Sequence, residues 1–194
     1  MRVDDSISFL DRGTRGEVEL IFDRQHLQTV VNEGMLKAQA SLDIATADFK
    51  FMRIPSSTIS TRRASMSILA HLVRLAKRGV EIRLLHAGVP SRWVRTELKG
   101  DRPANLTIRR CPRLHAKAVI VDATAMYFGS ANLTGAGLGA KSEHRRNFEW
   151  GAWTTSTALI DGVLQQFNML WEGQWCDSCQ RRDVCPVPLE EPRL

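Results

Sequence analysis

Apolar residues recur along this chain with two periods. Short runs of β-branched and other apolar residues, at 17–22, 42–49, 80–85, 106–109, 114–122 and 147–154, have the length and composition of strands. Between them, apolar side chains fall at helical spacing. Leu27, Val30, Val31, Met35 and Ala38 mark a helix over 25–39. An amphipathic segment over 62–78 closes at Gly79, and a short one spans 91–98. Ser156 is placed to cap a long helix that runs to Trp171, with Leu159, Ile160, Val163, Leu164, Phe167 and Leu170 along one side. Strands alternating with helices predict an α/β fold. Its sheet is expected to be mixed, mostly parallel, and flanked by helices on both faces. Residues 1–175 read as one domain. Beyond Trp175, Pro186, Pro188 and Pro192 oppose regular structure, so 176–194 reads as a tail.

Composition narrows the class. The chain has 194 residues, 43% hydrophobic and 25% charged, which suits one globular domain with a substantial core. No apolar run approaches the ~20 residues of a membrane span. The start, Met1-Arg-Val-Asp-Asp-Ser6, carries acidic residues and no apolar core of a secretory signal, so a cytoplasmic location is expected. The net charge of +6 is concentrated in arginine clusters: Arg62-Arg63, Arg92 and Arg95, Arg109-Arg110 with Arg113, and Arg145-Arg146. They are either solvated helix faces or a track for phosphates. Arg109, Arg110 and Arg113, just ahead of His115, are expected to meet nucleic acid.

The chemistry sits in one stretch. His115-Ala-Lys117 is followed by Asp122, then by Gly129-Ser130-Ala-Asn132. Written as spacing, this is H-x-K-x4-D-x6-G-S-x-N. If 114–122 is one strand, His115 and Lys117 share a face. Tyr127 and Phe128 begin a second strand that stops at Gly129, after which Ser130 and Asn132 again lie two apart. Imidazole, ammonium, hydroxyl and amide presented to one point suit a phosphodiester. Lys117 and Asn132 hold the non-bridging oxygens, and His115 attacks phosphorus or moves protons.

These six fixed positions resemble the phospholipase D superfamily. The resemblance implies a phosphohistidine mechanism with His115 as nucleophile, Lys117 and Asn132 on the phosphate, and Ser130 assisting by hydrogen bonding. Asp122 would orient or balance charge. In that family an acidic residue follows in an Asn-x-Glu context, and Asn147-Phe148-Glu149 fits it, which makes Glu149 the expected partner of the imidazole. The motif occurs once, whereas the chemistry needs one group to attack and one to protonate the leaving oxygen. Small members of the family resolve this by two-fold pairing, so a homodimer with a composite site is expected. No metal is needed for catalysis on that reading.

All four cysteines form a second pattern. Cys176, Cys179 and Cys185 read C-x2-C-x5-C-P, and Cys111 lies four residues before His115. In a cytosolic chain four thiols point to a metal site, either zinc or a [4Fe-4S] cluster. The tail pattern resembles the iron-sulfur staple of CRISPR-associated adaptation nucleases and helicase-nuclease repair subunits, where it is structural.

The expected function is a metal-independent phosphodiesterase on nucleic acid, a DNA endonuclease, with restriction or phage defence and its partner proteins as the context by analogy. Small single-motif members of the family are commonly nucleases. The alternatives are a lipid phosphodiesterase and a catalytically weak nucleic-acid-binding subunit. The segment 50–61 is either a lid or an ordinary loop. His26, His71, His86 and His144 lack motif context and read as surface or structurally satisfied residues, with His86, at a strand end, placed to border the cleft; Trp150 and Trp153 read as packing residues or base-stacking ones.

Overall fold

The strand Ala118–Val121, sequence AVIV, is buried at every position, as a strand covered on both faces must be. It lies at the centre of a seven-stranded sheet in this computed structural model, which describes residues 17–54, 65–100, 102–181 and 183–185. In chain order the strands are β1 (Val18–Phe22), β2 (Ser41–Thr46), β3 (Arg53–Ile54), β4 (Met66–Ser67), β5 (Glu81–His86), β6 (Leu106–Arg110), β7 (Ala118–Val121), β8 (Ala125–Gly129) and β9 (Trp150–Thr154). The helices are α1 (Ile68–Ala76), α2 (Arg92–Leu98) and α3 (Thr157–Trp171). The sheet order is β1-β9-β8-β7-β2-β5-β6, and β3 and β4 form a separate pair. The sheet is mixed, as expected: β2, β5 and β6 run parallel. From β2 through β7, β8 and β9 to β1 every pairing is antiparallel.

Side-chain alternation divides the core in two. Val119, Val121 and Tyr127 join Leu42, Ile44, Ile82 and Leu84 against α1 and the helical segment before β2. Ala118, Ile120 and Met126 point the other way, onto Ile160 and Phe167 of α3. Arg83 fastens α3 to the sheet. Its Nε donates to Asp43 Oδ1 at 2.6 Å and its Nη1 to Asn168 Oδ1 at 2.9 Å, with Phe167 and Trp171 under the guanidinium.

Three expectations change in detail. The helix expected over 25–39 is a π-helix, Leu27–Gly34, followed by a 3₁₀ turn, Met35–Lys37. The Met35 N–H bonds to both Val30 O and Val31 O, and this wide turn keeps Val30, Val31, Gly34 and Met35 all on the core side. At Gly34 a Cβ would stand 2.7 Å from the Trp153 ring, so the glycine lets Trp153 close over the segment. The helix expected from Arg62 begins at Ile68, capped by Ser67 Oγ accepting from Ala70 N–H at 3.0 Å. Its expected first residues, most of the loop 50–61 and the tail beyond Cys185 lie outside the described residues. The strand expected over 114–122 is only Ala118–Val121, because the β2 and β8 ladders both end opposite Ala118. Among the described residues no helix is long and apolar enough to cross a membrane.

Candidate active site

Where those ladders end, the chain ahead of β7 projects beyond the sheet. His115 stands exposed on this projecting segment. It lies at the sheet end formed by the C-termini of β2, β5, β6 and β8 and the N-termini of β7 and β9. Strand C-termini in α/β sheets are where ligands bind. Lys117 remains tied to β8 by its carbonyl, which accepts from Gly129 N–H at 3.2 Å. Its Nζ lies 3.2 Å from each ring nitrogen of His115 and 2.8 Å from the His115 carbonyl. The two groups thus share a side, although the segment that carries them is not laddered.

Asn132 is held from β2. Its Oδ1 accepts from Asp48 N–H at 3.0 Å and from the Thr46 hydroxyl at 3.3 Å. With the oxygen committed, the amide hydrogens are what Asn132 offers to a ligand. Thr46 Oγ1 also donates to Asp48 O at 2.8 Å and accepts from Leu133 N–H at 2.9 Å. Beneath this loop, Tyr127 Oη accepts from Ala131 N–H at 2.9 Å, and burial raises the phenol's pKa. Tyr127 fits because Gly129 and Gly151 leave it room; a Cβ on either would strike its ring or hydroxyl. His26 meets the Tyr127 ring edge-on at 5.2 Å and donates its Nδ1–H to Asp23 O at 2.9 Å. Burial lowers its pKa. Thr46, Asp48 and Tyr127 carry no motif signal. Their part in placing Asn132 arises from contacts across the fold.

Ser130, Asn147 and Glu149 form one group. The Ser130 hydroxyl donates to Glu149 Oε2 and Asn147 Nδ2 donates to Oε1 at 2.9 Å. The Glu149 N–H donates to Asp23 Oδ1 at 2.9 Å, and the carboxylate is buried. Glu149 therefore grips Ser130 and Asn147, whereas the expected partner was the imidazole of His115.

Asp122 is elsewhere. It follows the far end of β7, and its carboxylate accepts from the N–H groups of Gln39 (3.1 Å), Ala40 (2.8 Å) and Ser41 (2.9 Å). Partial burial pushes its pKa up, but those three donors outweigh this and hold it below the ordinary carboxylate value. The D of the signature closes the β7–β8 turn onto β2. It does not meet His115. Arg109 is also spent on the fold: Nη1 donates to Trp171 O at 2.6 Å and the guanidinium lies 4.5 Å from the Trp171 ring centroid. Arg110 donates to Ala87 O at 2.9 Å.

Beside His115 opens a cavity of about 430 Å³, walled in part by Cys111, Arg113, Leu114, Trp175, Cys176 and Cys179. Arg113 Nη1 lies 3.6 Å from Cys179 Sγ, and this contact lowers the Cys179 thiol pKa. None of the four cysteines is disulfide-bonded. Among the described residues no three histidine, cysteine, aspartate or glutamate side chains gather closely enough to hold a metal ion. Three of the four cysteines thus face one cavity without forming a closed ligand set.

A mixed sheet carrying His, Lys, Ser and Asn at one end defines a phosphodiesterase of the phospholipase D type. Residues 31–171 match the family model described as cardiolipin synthase, PLD-like domain. The chain belongs to this phospholipase D-like family. By sequence no curated protein matches it. Among solved structures it is similar to NucT from Helicobacter pylori, with 16% identity and a TM-score of 0.59 over 81% of this chain and 97% of that one. It is also similar to Nuc, a phospholipase D family member from Salmonella typhimurium, with 18% identity and a TM-score of 0.58 over 81% and 95%. Phosphatidylserine synthase from Haemophilus influenzae shares the fold at 16% identity and a TM-score of 0.54, over 82% of this chain but 39% of the synthase.

Proposed function

We propose that this chain is a metal-independent nuclease that cleaves DNA through a phosphohistidine on His115. The observation that carries the reading is the placement of His115, Lys117, Ser130 and Asn132 at one end of the sheet, with the Asn132 amide nitrogen turned to service by its committed oxygen. An imidazole nitrogen of His115 attacks phosphorus and the bond to the leaving oxygen breaks. A second imidazole gives that oxygen its proton. Water, giving a proton to the second imidazole, then attacks phosphorus, the P–N bond breaks, and both imidazoles are restored. Lys117 and the Asn132 amide stabilise the charge on the non-bridging oxygens throughout. One chain brings a single motif histidine, so the second imidazole comes from another copy across a two-fold axis.

Nucleic acid is favoured over lipid by charge and by size. The net charge is +6, and exposed Lys141 and Arg145 lie on the segment that runs into Glu149. The chain spans nearly the whole of two small structures of this fold and well under half of the phosphatidylserine synthase. A place in DNA restriction or phage defence, beside partner proteins, belongs to this reading by analogy. So does a structural zinc or [4Fe-4S] cluster held by Cys111, Cys176, Cys179 and Cys185, which the shared cavity beside three of them supports.

The test is incubation of the purified protein in EDTA with plasmid, single-stranded DNA, RNA and phosphatidylcholine vesicles. Cleavage of DNA is expected. Turnover of the lipid with every nucleic acid left intact would replace this reading by the lipid one.

A further inference from the structure

Arg113 joins two cavities of opposite character. The first is the cavity of about 430 Å³ beside His115, whose apolar wall is Leu114, Ala116, Leu170 and Trp175. The second, of about 310 Å³, is lined by Arg113, Ser178, Gln180 and Arg181, every one a hydrogen-bonding side chain. No acidic residue lines either cavity.

Of the three arginines ahead of His115, Arg109 and Arg110 are spent on the fold, whereas Arg113 is exposed and borders both cavities. Its Nη1 donates to Cys179 Sγ at 3.6 Å, which occupies one N–H of the guanidinium and holds it beside the segment after α3. Among the described residues no carboxylate forms an ion pair with Arg113 or Arg181. Trp175 is 49% exposed. Trp175, Ser178, Gln180 and Arg181 all follow the stretch 31–171 that the family model matches, so they are this chain's own addition to the site.

An aromatic-walled apolar cavity takes a base, because every base has a face to stack. A cavity lined by two arginines takes a phosphate. The scissile phosphate at His115 and Lys117 is then one phosphate, and that at Arg113 and Arg181 a second, with the apolar cavity bordered by both His115 and Arg113. Phosphates alternating with bases are the pattern of a nucleic-acid strand. Phosphatidylcholine has one phosphate and no ring to stack. We propose that the cavity beside His115 takes the base of the nucleotide next to the scissile phosphate, and that Arg113 and Arg181 hold that nucleotide's other phosphate. A base enters only after leaving its stack, so the nucleotide bound here is unpaired. The inference rests on the nuclease reading above and adds a subsite to it.

Steady-state cleavage of a single-stranded DNA and of an abasic strand of equal length, by wild type, Trp175→Ala, Trp175→Phe and Arg181→Ala, tests this. Circular dichroism checks each fold, and Trp175→Phe, which keeps a stacking ring, serves if alanine fails to fold. Trp175→Ala should lower kcat/KM on the DNA at least about 5-fold, with Trp175→Phe recovering most of the loss. Wild type should cut the abasic strand more slowly, and Trp175→Ala should lose nothing further on it. Arg181→Ala should raise KM on both strands and flatten the salt dependence of binding, because fewer counterions are released. Equal wild-type cleavage of the two strands would overturn the proposal. So would a Trp175→Ala loss of the same size on both, or an Arg181→Ala variant with unchanged KM and salt dependence. In each of these cases DNA is still cut and the nuclease reading stands. Wild type that cuts neither strand but turns over cardiolipin or phosphatidylcholine vesicles would overturn both.

Discussion

Leu133 donates its backbone N–H to the hydroxyl of Thr46 at 2.9 Å, joining positions 87 residues apart in the chain. The same hydroxyl bonds to Asp48 O and to Asn132 Oδ1, so one buried oxygen sets the height of the Asn132 loop above β2. Thr46→Val keeps the shape and removes the oxygen. It should cost about 1–3 kcal/mol, the price of a buried N–H without a partner. Urea denaturation reads the stability. Kinetics on an oligonucleotide should show kcat falling more than KM rises, because a displaced Asn132 loses its grip chiefly in the transition state. Unchanged kcat would remove Thr46 from the positioning of Asn132.

His115→Ala should reduce cleavage by at least about 10³-fold, since both the attacking and the protonating imidazole of a paired site are lost. Lys117→Ala should lose about 10²–10³-fold through transition-state charge. Acid-labile, base-stable phosphate on wild type after rapid quenching, absent from the His115 variant, would identify the intermediate. A His115 variant that cleaves at the wild-type rate would end the mechanism.

For Asp122 the folded pKa is held below its unfolded value of about 4. Its contribution to stability is therefore present above that value and is lost as pH falls through the folded pKa. Asp122→Asn retains a side chain that tolerates the left-handed backbone here, φ 52°. At pH 7 it should be less stable than wild type by about 1 kcal/mol, a figure reduced for the exposure of the carboxylate. The gap should narrow below about pH 4 and close in stronger acid. Urea melts at pH 7, 5 and 3 give the comparison, and a gap that stays constant with pH would show that the three N–H bonds do not favour the charged form.

Substituting Cys111, Cys176, Cys179 or Cys185 by Ala should lower metal content and Tm together, because metal held between β6 and the segment after α3 is folding free energy. Anaerobic purification with elemental analysis distinguishes about one zinc per chain from the iron and sulfide of a brown cluster. Metal-free protein with four thiols reactive to Ellman's reagent would remove the centre.

Much of this architecture is readable in the sequence, for reasons of range. β5, β8, α2 and α3 are set by residues within one or two turns of chain. His115, Lys117, Ser130 and Asn132 flank one hairpin, β7–β8, so their gathering at one end follows from chain neighbours. What is not readable depends on partners far along the chain. Arg109 looks like a phosphate contact until Trp171, 62 residues later, presents its carbonyl and its ring. Asp122 looks like part of the site until three N–H groups from 39–41 take its carboxylate. The π-helix at Leu27–Gly34 satisfies the same apolar spacing as an α-helix, so periodicity does not separate the two, and the close approach of Trp153 to Gly34 is a contact made 119 residues away in the chain.

The slot that Gly129 and Gly151 leave for Tyr127 constrains the three positions unequally. Tyr127 can shrink, at the cost of a void and of the Ala131 hydrogen bond. Neither glycine can grow even then, because a Cβ at Gly129 would stand 2.6 Å from Gly151 Cα and 2.7 Å from Trp150 O, and one at Gly151 2.9 Å from Phe128 O. A lineage that remodels the floor beneath Ser130 and Asn132 therefore has one adjustable position, Tyr127, between two that stand still.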